Sequence, residues 1–323
     1  MSAAPTVEPA AVASRETRQF AAAFVVLFAA IVVAPFVAYP FFVMEALCLA
    51  LFACAFNLLI GYVGLLSFGH AMFLGSASYV CAHAAKVWGL DPVLAILAGV
   101  ACSTVLGFFA GALSIRSQGI YFAMITVAFA QMIYFFCVEA PFTHGEDGIQ
   151  GVPQGRALGL VDLSRPALLY AFVATIFLFG FLTVYRAVNS PFGEILKAIR
   201  ENEPRAISLG YRVQRYKLAA FALSAALAGL AGATKAIVVQ NASLTDVAFP
   251  MSGEVVLMTL LGGMGTMFGP AVGAIVVVSM QNYLAQYGQW VTVIQGAVFV
   301  ACVLAFRRGI VGEIARALKW TSL

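Results

Sequence analysis

Runs of about twenty apolar residues, the length that crosses a bilayer as a helix, follow one another along nearly the whole chain. Of 323 residues, 63% are hydrophobic and only 10% are charged, where a soluble globular domain carries roughly 25% charged residues. So few polar groups cannot cover a water-facing surface, and the chain reads as a polytopic membrane protein. Backbone polar groups inside a bilayer must be satisfied within the protein, which favours helices. The ~10-residue alternating strands of a membrane barrel are not found in the sequence. The fold class is therefore all-α, with about ten transmembrane helices near 20–39, 42–60, 65–85, 92–114, 119–138, 166–186, 218–240, 250–263, 268–286 and 289–306. The eighth is short, which predicts a broken or tilted element.

Charge placement orients these spans. Seven of the eighteen Lys and Arg fall between Arg186 and Lys217, and basic residues concentrate on the cytoplasmic side of a bilayer. Arg15, Arg18, Arg116, Arg307, Arg308, Arg316 and Lys319 fall on the same side if ten spans are counted. The segment 139–165 carries Glu139, Glu146, Asp147 and Asp162 against Arg156 and Arg165, which suits the outer face. The expected organisation is a disordered cytoplasmic tail over 1–19 and a transmembrane domain over 20–306. A cytoplasmic loop at 187–217, an outer loop at 139–165 and a cytoplasmic tail at 307–323 complete it. Five spans on either side of the outer loop have opposite orientations, the arithmetic of an inverted repeat.

The basic loop looks folded. Pro191 to Asn202 reads as a short amphipathic helix, with Ile195 and Ile199 on one face and Glu194 and Lys197 three residues apart. Asn202 and Glu203 can cap a second helix with Pro204 in its first turn, and Gly210 can end it. Two short helices on the inner face suit either a groove on a soluble subunit or the headgroup layer. The loop lies between spans, which argues against nucleic acid.

Two glycine-rich stretches, Gly61 to Ala71 and Leu261 to Pro270, fall inside spans. Glycine there permits either close helix approach or an interrupted span that presents backbone to a substrate. Polar groups at membrane depth are candidates for a translocation pathway: Asn57, Ser67, His70, Gln131 and Glu254. Lys235 and Glu45 lie near span ends and are expected to snorkel. The six cysteines show neither a CxxC pair nor metal spacing and read as small buried hydrophobes. No GxxxxGK[ST] phosphate loop, HExxH or GxSxG is present, so ATP-driven work by this chain needs another polypeptide to supply the hydrolysis.

Six segments, in order, carry a resemblance: GYVGLLSFGHAMF (61–73), YFAMITVAFAQM (121–132), THGEDGIQGVP (143–153), FGEILKAIRENEPRAISLGYRVQRYK (192–217), LSAALAGLAGA (223–233) and SGEVVLMTLLGGMGTMFGP (252–270). Over about residues 45–312 the chain resembles the inner-membrane permease subunits of Liv-type branched-chain amino acid ABC importers, particularly the M-like member. The resemblance implies a type II-like importer architecture in the bacterial inner membrane with both termini cytoplasmic. The implied partners are a second homologous permease, two ATP-binding cassette subunits that carry ATP and Mg, a periplasmic amino-acid-binding protein and membrane lipid. No cofactor is implied on this chain, which is not itself an enzyme. Glu203, Ala206, Leu209, Gly210, Arg212 and Arg215 are the expected ATPase-coupling residues. The implied cargo is a branched-chain or similar hydrophobic amino acid, with urea, amides or aromatic acids as alternatives. An ion-coupled secondary carrier would need titratable groups paired deep in the spans, and an intramembrane enzyme would need a nucleophile facing a base.

Overall fold

The structure is a computed structural model that describes residues 24–159, 161–288, 290–305 and 309–317. The helices are α1 Phe24–Val37, α2 Pro40–Asn57, α3 Ala71–Lys86, α4 Pro92–Ser114, α5 Ile120–Glu139, α6 Pro166–Val188, α7 Pro191–Glu201, α8 Glu203–Ser208, α9 Val213–Val239, α10 Phe249–Gly262, α11 Gly269–Leu284, α12 Trp290–Ala305 and α13 Gly309–Ala317. Proline opens many of them, at residues 40, 92, 166, 191, 204, 250 and 270. At the first turn its missing N–H costs nothing and its fixed φ already suits a helix. Five helices, counting α2 with the π-helical extension Leu58–Val63, are long and apolar enough to cross a membrane, and α1, α10 and the middle of α12 are shorter apolar helices. The expected tail at 307–323 holds α13, which packs on α10 and α11. The expected disordered tail at 1–19 lies outside the described residues.

The core is built around α2 and α9. The α2 span is 89% buried by its neighbours, whereas α5 is 28% buried, so α2 is central and α5 peripheral. Lipid tails are as apolar as leucine, so spans associate through close packing and not through water exclusion. Small residues supply that packing between α3, α4 and α9. Gly232 lies against the Leu74 carbonyl, Gly229 against Ser103, Gly107 against Ala225 and Gly99 against the Ala77 carbonyl. The Ser103 hydroxyl donates to Ala225 O at 2.7 Å, and the Cys81 thiol points to Ala233 O. All six cysteines are free thiols.

The outer loop is folded and joins the two halves of the chain. Strand β1 (Ile149–Gln150) pairs antiparallel with β4 (Asn241–Ala242), and β2 (Arg156–Ala157) pairs antiparallel with β3 (Val161–Asp162) in a second two-stranded sheet. Lys86 Nζ donates to Gln150 O at 2.7 Å and Val152 N to Gln240 O at 3.0 Å. Lys235 does not snorkel as expected. Its ammonium meets the Asp246 carboxylate at 2.6 Å, with side-chain exposures of 14% and 6%. Asp246 sits in the 3-10 turn Leu244–Asp246 that leads into α10, and this nearby carboxylate satisfies the charge where it stands.

Replacing Gly232 with Leu drives a side chain into the Leu74 backbone, and overpacking of this kind destabilises by about 1–3 kcal/mol. A Cβ at Gly253 meets nothing within 4 Å. In detergent, Gly232→Leu is expected to lower the thermal transition by several degrees and Gly253→Leu to leave it unchanged. Equal transitions would remove the small-residue packing argument.

Candidate functional site

The third span starts later than the sequence suggested. After α2 the chain makes the π-helical turn Leu58–Val63 and then Gly64 in the left-handed region, φ 80°. Residues 64–70 run without helix, and α3 begins only at Ala71. Non-helical backbone at membrane depth needs partners from the protein itself. Side-chain hydroxyls provide them. Thr126 Oγ1 accepts from Phe68 N at 3.2 Å, Ser67 Oγ from Gly69 N at 3.4 Å and Ser252 Oγ from Ala71 N at 3.0 Å. Gly69 lies directly against the Thr126 carbonyl, where no Cβ fits. Ser67 is therefore a buried backbone partner.

His70 closes this stretch and is fully buried. Its Nε2 lies 3.0 Å from Ser224 Oγ, midway along α9. The Ser224 hydroxyl donates its one hydrogen to Ala55 O, so Ser224 must accept and His70 Nε2 carries the proton. The rings of Phe52, Phe56, Phe73 and Phe221 surround the imidazole. A ring so enclosed ties α2, α3 and α9 together. Asn57 is likewise buried. Its Nδ2 donates to Thr266 O at 2.9 Å and its Oδ1 accepts from Gly265 N at 2.9 Å. The carboxamide thus holds the second glycine-rich break, residues 263–268, against the first. A Cβ on Gly61 would lie 2.9 Å from Gly265 Cα. Both readings of the glycine stretches hold at once: the spans are interrupted, and they pack backbone to backbone.

The remaining pathway candidates lie elsewhere. Gln131 on α5 and Glu254 on α10 are half-exposed on helices that touch. Among the described residues Glu254 has no hydrogen-bond or ion-pair partner. Phe68 and Phe249 stack near each other at the start of α10, with ring centroids 6.4 Å apart.

At the opposite end of α9 the basic loop folds much as its sequence suggests. Pro191 opens α7, and Leu196 and Ile199 are buried. Asn202 Oδ1 accepts from Arg205 N at 3.0 Å as the N-cap of α8. Gly210, φ 88°, ends it, with its N–H on Ile207 O at 2.9 Å. Two of the expected coupling residues turn inward. Ala206 joins Ile199 and Val213 in a small core. Glu203 meets Lys217 Nζ at 2.8 Å and accepts from Gln118 Nε2 at 3.3 Å. Both hold the loop on the membrane domain. Leu209, Gly210, Arg212 and Arg215 face outward, with Leu209 69% exposed. Ile207 and Tyr211, not anticipated, are exposed beside them. A groove of about 490 Å³ lies between α7 and α9, lined by Phe192, Gly210, Tyr211, Arg212, Arg215 and Tyr216.

Arg200 was missed as well. Its Nη1 donates to Gly61 O, and its methylenes pack on Gly64. The short helix α7 is thereby fastened to the break in the second span, which is itself clamped to the break at Gly265.

The family model described as the branched-chain amino acid transport system permease component matches residues 38–304. The chain belongs to this family of ABC transporter permeases. It is 26% identical over 292 residues to the high-affinity branched-chain amino acid transport system permease protein LivM of Escherichia coli, covering 81% of this chain and 67% of that one. The probable branched-chain amino acid transport permease protein LivM of Methanocaldococcus jannaschii is 24% identical over 229 residues, 67% of this chain and 64% of that one. The ribose import permease protein RbsC of Bacillus subtilis is 27% identical over 244 residues, 69% of this chain and 70% of that one. No solved structure matches. The match over 38–304 makes this a membrane-spanning permease, and its interrupted spans, clamp and folded loop all fall inside that range.

Removing the Asn57 carboxamide leaves a part-buried N–H at Gly265 and a buried carbonyl at Thr266 unpaired. Each unsatisfied group costs about 1–3 kcal/mol. Asn57→Ala is expected to lower the detergent-solubilised thermal transition clearly, while Gln131→Ala leaves it in place. The reverse order would show that Asn57 is not a clamp.

Proposed function

We propose that this permease forms one half of the conduit of an ATP-driven importer for branched-chain or similar hydrophobic amino acids. Its partners in this reading are a second homologous permease, two ATP-binding subunits and a substrate-binding protein outside the membrane. ATP and Mg belong to the ATP-binding subunits. The termini and the loop carrying α7 and α8 face the cytoplasm of a bacterial inner membrane, as the basic residues favour. One observation carries the mechanism: Arg200 joins α7 directly to the Gly61 break, and Asn57 joins that break to the one at Gly265.

In this mechanism the ATP-binding subunit seats against Ile207, Leu209, Gly210 and Tyr211, next to the groove rimmed by Arg212 and Arg215. When the ATP-binding pair closes, α7 and α8 move as one body, because Glu203–Lys217 and the Ala206 core fix them to α9. Arg200 transmits the shift to both broken spans together. Cargo passes along the sparsely covered face of α5 and α10, where Gln131, Phe68, Phe249 and Glu254 stand. Glu254, a carboxylate with no partner among the described residues, receives the ammonium of the amino acid. The similarity to a ribose import permease makes a sugar the comparison cargo.

Arg200→Ala is expected to reduce ATP-dependent leucine uptake into cells about tenfold or more, the scale of a typical coupling free energy, with the ATP-binding subunit still co-purifying. Gly210→Val forces a β-branched residue to φ 88°, and it should abolish that co-purification while membrane insertion stays normal. Full uptake in both variants would discard this route.

Glu254→Gln should raise the KM for leucine about tenfold, the loss of one charge-assisted hydrogen bond, with a smaller change in maximal rate. An unchanged KM would take Glu254 out of the pathway. Ribose competing as well as isoleucine would reassign the cargo.

A further inference from the structure

A second, smaller groove of about 180 Å³ lies between the C-terminal end of α4 and the N-terminal end of α9. Its floor is Ala112, Ile115 and Leu218, and its rim is Arg116, Gln214 and Arg215. Arg116, in the turn after α4, and Arg215, on α9, converge on one cavity. The two lysines of the adjoining loop are paired within the chain: Lys197 with Glu194 at 2.8 Å and Lys217 with Glu203 at 2.8 Å. Glu203 is further engaged by Gln118. Among the described residues Arg116 and Arg215 have no such carboxylate. The groove therefore carries two uncompensated guanidinium groups over an apolar floor, with an amide at its edge.

We infer that this groove binds the headgroup of an anionic phospholipid. A phosphodiester accepts hydrogen bonds from two planar guanidinium forks, and Gln214 can donate to a headgroup oxygen. The position selects lipid over a soluble phosphate. Arg116 follows directly on a stripe of α4 at helical spacing, Val105, Phe109 and Leu113, whose side chains are all exposed. A lipid whose phosphate sits at Arg116 and Arg215 lays an acyl chain along that stripe. Basic pockets between spans at a membrane surface are suited to such headgroups. Arg215 also rims the larger groove beside Gly210, so an occupied headgroup site sets the Arg215 side chain next to the expected docking surface. The inference rests on the membrane-spanning fold and not on the identity of the cargo.

The test is native mass spectrometry of the full chain, released from nanodiscs that contain phosphatidylglycerol and phosphatidylcholine in equal amounts. The wild type is expected to retain one phosphatidylglycerol in preference to phosphatidylcholine. Each basic residue at a membrane surface contributes about fivefold, so Arg116→Gln with Arg215→Gln should lower that preference more than tenfold. Both residues are exposed, so the double variant keeps the fold. Arg186→Gln, an exposed arginine at the same end of the bundle but outside the groove, should retain the preference. No preference in the wild type, or one that survives the double variant, overturns the site. So does an equal loss in Arg186→Gln, which would mean diffuse surface charge. Displacement of the lipid by free glycerol 3-phosphate would assign the groove to a soluble phosphate instead.

Discussion

One carboxamide, that of Asn57, holds the two broken spans of this protein together. Two spans break at glycines, and a broken span in a membrane exposes N–H and C=O groups that lipid cannot satisfy. Asn57 supplies one donor and one acceptor at the single place where both breaks meet. Because Gly61 and Gly265 lack side chains, the two backbones approach closely enough for one short side chain to span them. Asp would lack the donor, and Gln would be a methylene too long for this separation. The same junction receives Arg200 from α7, and Gly309 at the start of α13 packs on the neighbouring Gly263. Four separate parts of the chain therefore depend on one small region of glycine backbone.

The outer end is built on a different principle. There the ties are an ion pair and strand pairing. Lys235 and Asp246 lie largely out of solvent, where breaking such a pair by removing one partner costs about 3–5 kcal/mol. The β1–β4 ladder and the Lys86 contact then fasten the outer loop to the turn that precedes α10. Around the two breaks the ties are hydrogen bonds to backbone carbonyls and van der Waals contact at glycines, with the Glu203–Lys217 ion pair holding α8 on α9 beside them.

Much of this was legible in the sequence, and the residues show why. Prolines 191 and 204, Asn202 and Gly210 act through local backbone chemistry, so α7, α8 and the turn after them could be placed from spacing alone. The short eighth span was visible as an apolar run of insufficient length. What the sequence hid depends on contacts between distant residues. Ser67, His70 and Asn57 looked like polar groups in a passage because a lone polar residue at membrane depth suggests function. Their partners are Gly69, Ser224 and Thr266, and two of these lie more than 150 residues away. Lys235 seemed near enough to a span end to reach water, because Asp246 could not be seen to fold back over it. Arg200 carried no signal beyond its charge, one of seven in the loop.

The buried histidine illustrates how such a network constrains itself. Ser224 has one hydrogen and gives it to Ala55 O. That fixes the proton of His70 on Nε2 and leaves Nδ1 as an acceptor without a partner among four phenylalanine rings. With phenylalanine rings on its sides, the imidazole works as a wedge between α2, α3 and α9. Replacing it with Phe would keep the volume but strip Ser224 of its donor, and replacing it with Gln would keep the donor but lose the ring packing. Imidazole alone among the side chains combines an aromatic face of this size with a single N–H aimed along its edge. His70 thus follows from packing α3, α2 and α9 at the level where α3 begins, and its chemistry is that of the joint between them.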